Sequence, residues 1–170
     1  MISRKFPSSS IINNFFFFSY MNIGISKDDQ ASLAKGLTAF LAETYGLYLK
    51  THYFHWNVTG KMFVTLHALF ETQYNDLWTA TDEIAERIRA LGAFVPAHFA
   101  KESSITIGVE IPTAMEMVNE LAEGHEAIAR SARTLLSRAQ KAGDEGTAGL
   151  LTDRMTVHEK TAWMLRSLSA

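Results

Sequence analysis

The chain has 170 residues, 47% of them hydrophobic and 20% charged, with a formal net charge of −2, the size and balance of one globular domain. Its lack of cysteine excludes a disulfide, a thiolate site, an iron–sulfur cluster and a cysteine nucleophile, so any metal must be held by nitrogen and oxygen. No run approaches the roughly 18 apolar residues needed to span a bilayer.

Residues 1–20, MISRKFPSSSIINNFFFFSY, differ from everything after them. They carry Arg4 and Lys5, no acid, and four consecutive phenylalanines. A signal peptide would explain the basic start and apolar run, but the run is short and no small-x-small cleavage site follows it. The favoured reading is a disordered or spurious extension read in frame ahead of Met21, since a thymine-rich stretch encodes runs of Phe. The expected domain is then 21–170, where 14 basic residues set against 18 acidic ones leave −4.

Prolines stand only at 7, 96 and 112, leaving two long proline-free segments that favour an all-α fold. The first helix is predicted from Ser26 or Asp28, as N-cap, to about Trp56, with Leu33, Leu37, Phe40, Leu41, Tyr45, Leu47 and Leu49 on its apolar face. The turn 57–60 ends it. A second helix over about 61–91 stops at Gly92, with Arg87 and Arg89 suited to the dipole of its last turns. The next twenty or so residues hold Phe94, Pro96, His98 and Phe99, too apolar for an idle linker, and a short helix near 95–103 is expected. A third helix follows the Ile111, Pro112, Thr113 turn and runs to about Ala142, with Met117, Leu121, Ile128, Leu135 and Leu136 inward. The fourth runs from about Glu145 to Leu168. Four long helices with one long connection between the second and third describe a ferritin-like four-helix bundle.

The most informative pattern is His55, then His67 and Glu71, then Asp82 and Glu86. On a continuous second helix the last four fall near 0°, 40°, 60° and 100°, a single stripe. Each alone reads as an ordinary core or surface histidine or a solvated charge. Together, among Phe63, Leu66, Phe70, Leu77, Trp78 and Ile84, they are costly to bury unless paired or coordinated, and mixed imidazole and carboxylate donors suit iron or manganese, with zinc as a competitor. His67 and Asp82 are nevertheless separated by roughly 22 Å of helix, whereas a ligand sits about 2 Å from its ion. If the five form one site, an antiparallel copy of the chain must complete it across a two-fold axis. The sequence contains no Glu-x-x-His, the usual device of di-iron sites enclosed within one chain, and this agrees with a shared site. His52 and His55 are a weaker alternative pair.

The stretch FHWNVTGKMFVTLHALFETQY, the following DEIAERIRALG, and HEKTAWMLRSL near the end resemble the Dps family, the DNA-binding proteins from starved cells or mini-ferritins, over about 25–170. The resemblance implies that His55, His67, Glu71, Asp82 and Glu86 are ferroxidase ligands for two irons per intersubunit site and that Trp56 is the site tryptophan, serving as interface packing or as a nearby electron donor. Glu71 departs from the aspartate frequent in the family. The resemblance further implies a cytoplasmic dodecamer of two-fold dimers that oxidises Fe²⁺, preferably with hydrogen peroxide and otherwise with O₂, and stores ferric oxide. Asp144, Glu145 and Asp153 are candidates for its acidic three-fold pore. The alternative is a nucleoid-associated, DNA-compacting protein with secondary iron chemistry. That reading finds little support in a tail offering only Arg4 and Lys5, or only Lys27 if the chain starts at Met21.

Overall fold

The computed structural model describes residues 21–169; the expectations for residues 1–20 lie outside them. Four helices make up the described fold: α1 (Lys27–Asn57), α2 (Phe63–Ala90), α3 (Ala114–Lys141) and α4 (Glu145–Leu168). Each start has a local cause. Ser26 accepts from Asp29 N–H at the head of α1, Thr113 and Glu116 form a reciprocal capping box at α3, and Asp144 accepts from Thr147 N–H at α4. Helix α2 stops where Gly92, at φ +85°, turns the chain into the left-handed region.

Cross-helix pairs fix the topology. His55 meets His67, so α1 and α2 are an antiparallel hairpin. Arg133 meets Glu159 and Arg166 meets Glu126, so α3 and α4 are another. Lys50 bonds Glu120 while Leu47 lies over Gly124, which sets α3 antiparallel to α1 and hence parallel to α2. Parallel α2 and α3 require the chain to travel back along the bundle between them. It does so past the middle of α1, where Ser104 bonds Glu43 and Ser103 Oγ approaches Gly46 so closely that a Cβ there would sit 2.2 Å from it. The expected short helix in this connection is one 3-10 turn, Phe99–Glu102, with Phe99 edge-on against Tyr45.

The core follows the predicted faces. Phe40, Phe54 and Phe70 are fully buried with Leu33, Leu37, Leu47, Leu66, Leu77 and Ile84, each such side chain contributing about 1.5–3 kcal/mol of transfer free energy. Leu49 is a correction: it is exposed, because its face of α1 looks toward the connection near Ser103 and Ile105 rather than into the bundle.

The centre is polar. His125 on α3 and His158 on α4 are buried, their Nδ1 atoms 2.8 Å apart. Burial, then the Arg154 cation, pushes His125 down to about 3; burial, then His125 and Arg154, holds His158 well below its ordinary value. Both rings are neutral when folded and free to protonate when unfolded. Stability is therefore complete above the unfolded histidine value, about 6.5, and falls as pH drops toward the folded values, by about 1.4 kcal/mol per pH unit for each ring. The melting temperature should be flat from pH 7.5 to 6.5 and decline from about 6.5 to 5.5, a range mostly above carboxylate titration. A His125→Phe/His158→Leu double variant should flatten that decline. An unchanged decline would assign the acid sensitivity to other groups.

Candidate metal centre

His55 lies in the last turn of α1 and is 8% exposed; His67 is half-buried near the start of α2. Their rings stack with centroids 3.8 Å apart and planes 20° from parallel. Each ring also reaches the other residue's backbone: His55 Nδ1 is 2.8 Å from the His67 carbonyl, and His67 Nδ1 is 2.9 Å from the His55 carbonyl. A carbonyl only accepts, so both Nδ1 atoms carry hydrogen, and each neutral ring keeps its lone pair on Nε2. This clasp joins two helix ends, fixes the tautomers and leaves two imidazole nitrogens able to ligate.

Two of the three carboxylates lie elsewhere on the hairpin, while Glu71 follows His67 by one turn of α2. Glu71, Asp82 and Glu86 are exposed. Because α2 is unbroken from Phe63 to Ala90, His67 and Asp82 stand about 22 Å apart along it. Among the described residues, no three His, Asp or Glu side chains come together to hold an ion. The structure thus brings together His55 and His67, and leaves Asp82 and Glu86 presented from the far part of the same helix.

An aromatic wall flanks the clasp, which sequence spacing did not reveal. His52 stacks on Tyr74 at 4.1 Å and lies 4.1 Å from Trp56. Tyr74 is edge-on to His55 at 5.2 Å, and Tyr48 links this group to Trp78 at 5.5 Å. Burial, then His55, lowers the His52 pKa. With its faces against Tyr74 and Trp56, His52 belongs to the wall rather than to an assembled pair with His55. The wall ends in open surface: Trp56 is 64% and Trp78 57% exposed, with Phe63 also exposed nearby on α2. Contiguous exposed aromatics of this kind mark an association surface.

The three acids at the head of α4 divide. Glu145 and Asp153 are exposed, whereas Asp144 is buried against Arg87 and caps α4. Burial alone would raise its pKa, but hydrogen bonds from Arg87 and Thr147 hold it below the usual carboxylate range. Its role is structural.

Two antiparallel hairpins joined by a full-length crossover, with imidazoles at one end of the first hairpin and acids along it, define a ferritin-like protein. A family profile described as a ferritin-like domain matches residues 34–170. The chain is 41% identical over 125 residues to the DNA protection during starvation protein 2 of Bacillus anthracis, covering 71% of this chain and 85% of that one. It is 36% identical over 154 residues to a low temperature-induced protein of Nostoc sp., covering 86% and 85% respectively. Among solved structures, the Dps protein from Vibrio cholerae O1, described as a member of a broad superfamily of ferritin-like diiron-carboxylate proteins, superposes with a TM-score of 0.84 at 32% identity over 89% of this chain and 97% of its own. The chain belongs to the Dps family of ferritin-like proteins. None of the helices is long and apolar enough to cross a membrane, among the described residues.

The contrast between clasp and carboxylates predicts different costs. Asp82→Ala and Glu86→Ala remove exposed side chains and should alter subunit stability by no more than about 0.5 kcal/mol. His67→Ala deletes a stacked ring and a hydrogen bond that ties α1 to α2, and should cost about 1–2 kcal/mol. Denaturation of the metal-free variants in chelator checks the difference.

Proposed function

We propose that this protein is an iron-storage ferroxidase whose catalytic centres form between two-fold related chains. The observation that carries the reading is the His55–His67 clasp: two imidazoles with fixed tautomers and available Nε2 atoms, on a chain whose Asp82 and Glu86 lie too far along α2 to reach them. In an antiparallel pair of hairpins, Asp82 and Glu86 of one chain approach His55, His67 and Glu71 of the other, and Trp56, Phe63 and Trp78 are covered in the same contact. Neutral imidazole and anionic oxygen together accept Fe²⁺ and favour Fe³⁺ as product. Iron is here the substrate. Two ferrous ions each give one electron to one hydrogen peroxide, whose oxygens leave as water or enter the ferric oxide. Peroxide is preferred over O₂, and both reactants of hydroxyl-radical chemistry are consumed. Zinc and manganese compete for the same donors. The wider reading is a cytoplasmic dodecamer holding two irons per intersubunit site, with ferric oxide stored inside it. Glu145 and Asp153 remain candidates for the entry path.

The shared site is tested by complementation. His67→Ala and Asp82→Ala should each be nearly inactive in stopped-flow Fe²⁺ oxidation. In a mixed dimer, one site inherits both lesions while the other has neither, so co-assembly should partly restore activity. Confirmed mixed assembly without recovery sinks the two-fold arrangement.

The names of the relatives favour DNA protection, and DNA compaction is the second reading. The charge of −4 over residues 21–170, multiplied across an oligomer, opposes binding of a polyanion at neutral pH. Gel shifts with a chain beginning at Met21 should show weak binding at neutral pH and moderate salt, strengthened by lower pH, lower salt or Mg²⁺. Tight binding to duplex DNA at neutral pH would promote the compaction reading.

A further inference from the structure

A second constellation crosses the middle of the bundle, away from the His55–His67 clasp. Arg154 on α4 grips Asp76 on α2 through both terminal nitrogens, at 3.2 and 2.6 Å. Its Nη2 also lies 3.4 Å from His158 Nε2, and His158 Nδ1 lies 2.8 Å from His125 Nδ1 on α3. A guanidinium has donors and no acceptor. His158 Nε2 must therefore accept, which puts that ring's hydrogen on Nδ1. This hydrogen is donated to His125 Nδ1, so the neutral His125 ring carries its own hydrogen on Nε2. The chain of bonds ends in an N–H group polarised by the cation behind it.

That N–H has no protein partner. His125 is 1% exposed and its Nε2 is unpaired. It borders a cavity of about 240 Å³ between the helices, lined also by Thr72, Gln73, Asp76, Lys160 and Thr161. Gln73, 7% exposed, supplies the second unpaired atom, its amide Oε1. Buried polar groups in native proteins are nearly always satisfied. One orphan donor and one orphan acceptor beside the same cavity call for an occupant that both accepts and donates.

The charges narrow its chemistry. A metal ion is excluded by the tautomer, because the unpartnered His125 nitrogen, Nε2, carries hydrogen instead of a lone pair. The Asp76 carboxylate is neutralised by two-pronged contact with Arg154, which leaves the Lys160 ammonium as the remaining charge of the lining. We propose that this cavity binds inorganic phosphate: His125 Nε2–H and Lys160 donate to phosphate oxygens, while the P–OH of hydrogen phosphate donates to Gln73 Oε1. A phosphate monoester dianion or sulfate has no such hydroxyl at neutral pH and leaves the Gln73 oxygen unpaired.

Titration calorimetry on the iron-free, full-length oligomer near neutral pH tests the site, with inorganic phosphate as probe and sodium chloride of equal ionic strength as control. Saturable binding of one phosphate per chain is expected, with methyl phosphate and sulfate at least about tenfold weaker. Lys160→Ala, an exposed change that leaves the core intact, should weaken phosphate by about fivefold or more, and Gln73→Leu should weaken it at least as much. His125→Phe should abolish binding; should that variant fail to fold, the other two still decide. No saturable heat up to about 10 mM phosphate would mean that the cavity holds water only and would overturn the proposal. Wild-type affinity in both Lys160→Ala and Gln73→Leu, or equal affinity for sulfate, would overturn it too.

Discussion

An α-helix advances about 1.5 Å per residue whatever its sequence, and α2 runs unbroken from Phe63 to Ala90, so its histidine end and its acidic end are held apart by covalent geometry. Much else follows from that separation. The hairpin partner α1 contributes a second imidazole beside the first but no carboxylate, and the clasp between His55 and His67 uses backbone carbonyls rather than acids to orient the rings. A carboxylate in that orienting position would have brought negative charge beside the rings within one chain. With carbonyls there, Glu71, one turn after His67, is the acid of the proposed set that the same half of α2 offers, and Asp82 and Glu86 stay at its far part. Rigid spacing and a neutral orienting group together leave His55 and His67 without Asp82 or Glu86 beside them in a single chain.

The two histidine pairs show how surroundings divide identical side chains between roles. His55 and His67 each donate Nδ1–H to a carbonyl, so both retain a lone pair and together suit a cation. His125 and His158 face one another through Nδ1, with Arg154 behind them. In that chain each ring spends its acceptor inward, and the pair presents a hydrogen outward. The first arrangement favours a metal and the second an acceptor, although neither distinction lies in the ring itself. It comes from what the other nitrogen touches.

The helical layout was legible because its signals are local. The Ser26 cap, the Ile111, Pro112, Thr113 turn, the Gly92 stop and the apolar periodicity of α1 and α3 act within a few residues of where they are read. Leu66, Phe70, Leu77 and Ile84 are buried as their stripe implies, while Phe63 and Trp78 on the same helix are exposed, because periodicity marks an apolar face and not what covers it. The separation of His67 from Asp82 and Glu86 along α2 was equally legible, since it follows from helical rise. The clasp, the Tyr48–Tyr74–His52 wall and the Asp76–Arg154–His158–His125 chain were not. Each joins residues from different helices through ring planes or single hydrogen bonds, and no spacing along one helix encodes such a meeting. Asp144 illustrates the same limit: as a sequence position it is a surface acid near a helix start, and only the approach of Arg87 from α2 turns it inward.

In the proposed two-fold arrangement association and chemistry are coupled on this hairpin, because the same surface serves both. Trp56 and Trp78 leave large apolar area in water on an isolated subunit, and covering a side chain of that size stabilises association by a few kcal/mol before the loss of rigid-body freedom is counted. The wall that offers this area is continuous, through His52 and Tyr74, with the ring of His55. In that arrangement a partner that covers the tryptophans is brought against the clasp, and one that misses them leaves it without Asp82 and Glu86. Burying the carboxylates beside the imidazoles would by itself oppose association, since each must shed water. Apolar contact at the wall would offset that cost in the absence of metal, and a bound cation would then add its own stabilisation of the same contact by mass action. On the proposed arrangement the order of events is set by the surface: aromatic burial forms the pair, and the pair forms the site.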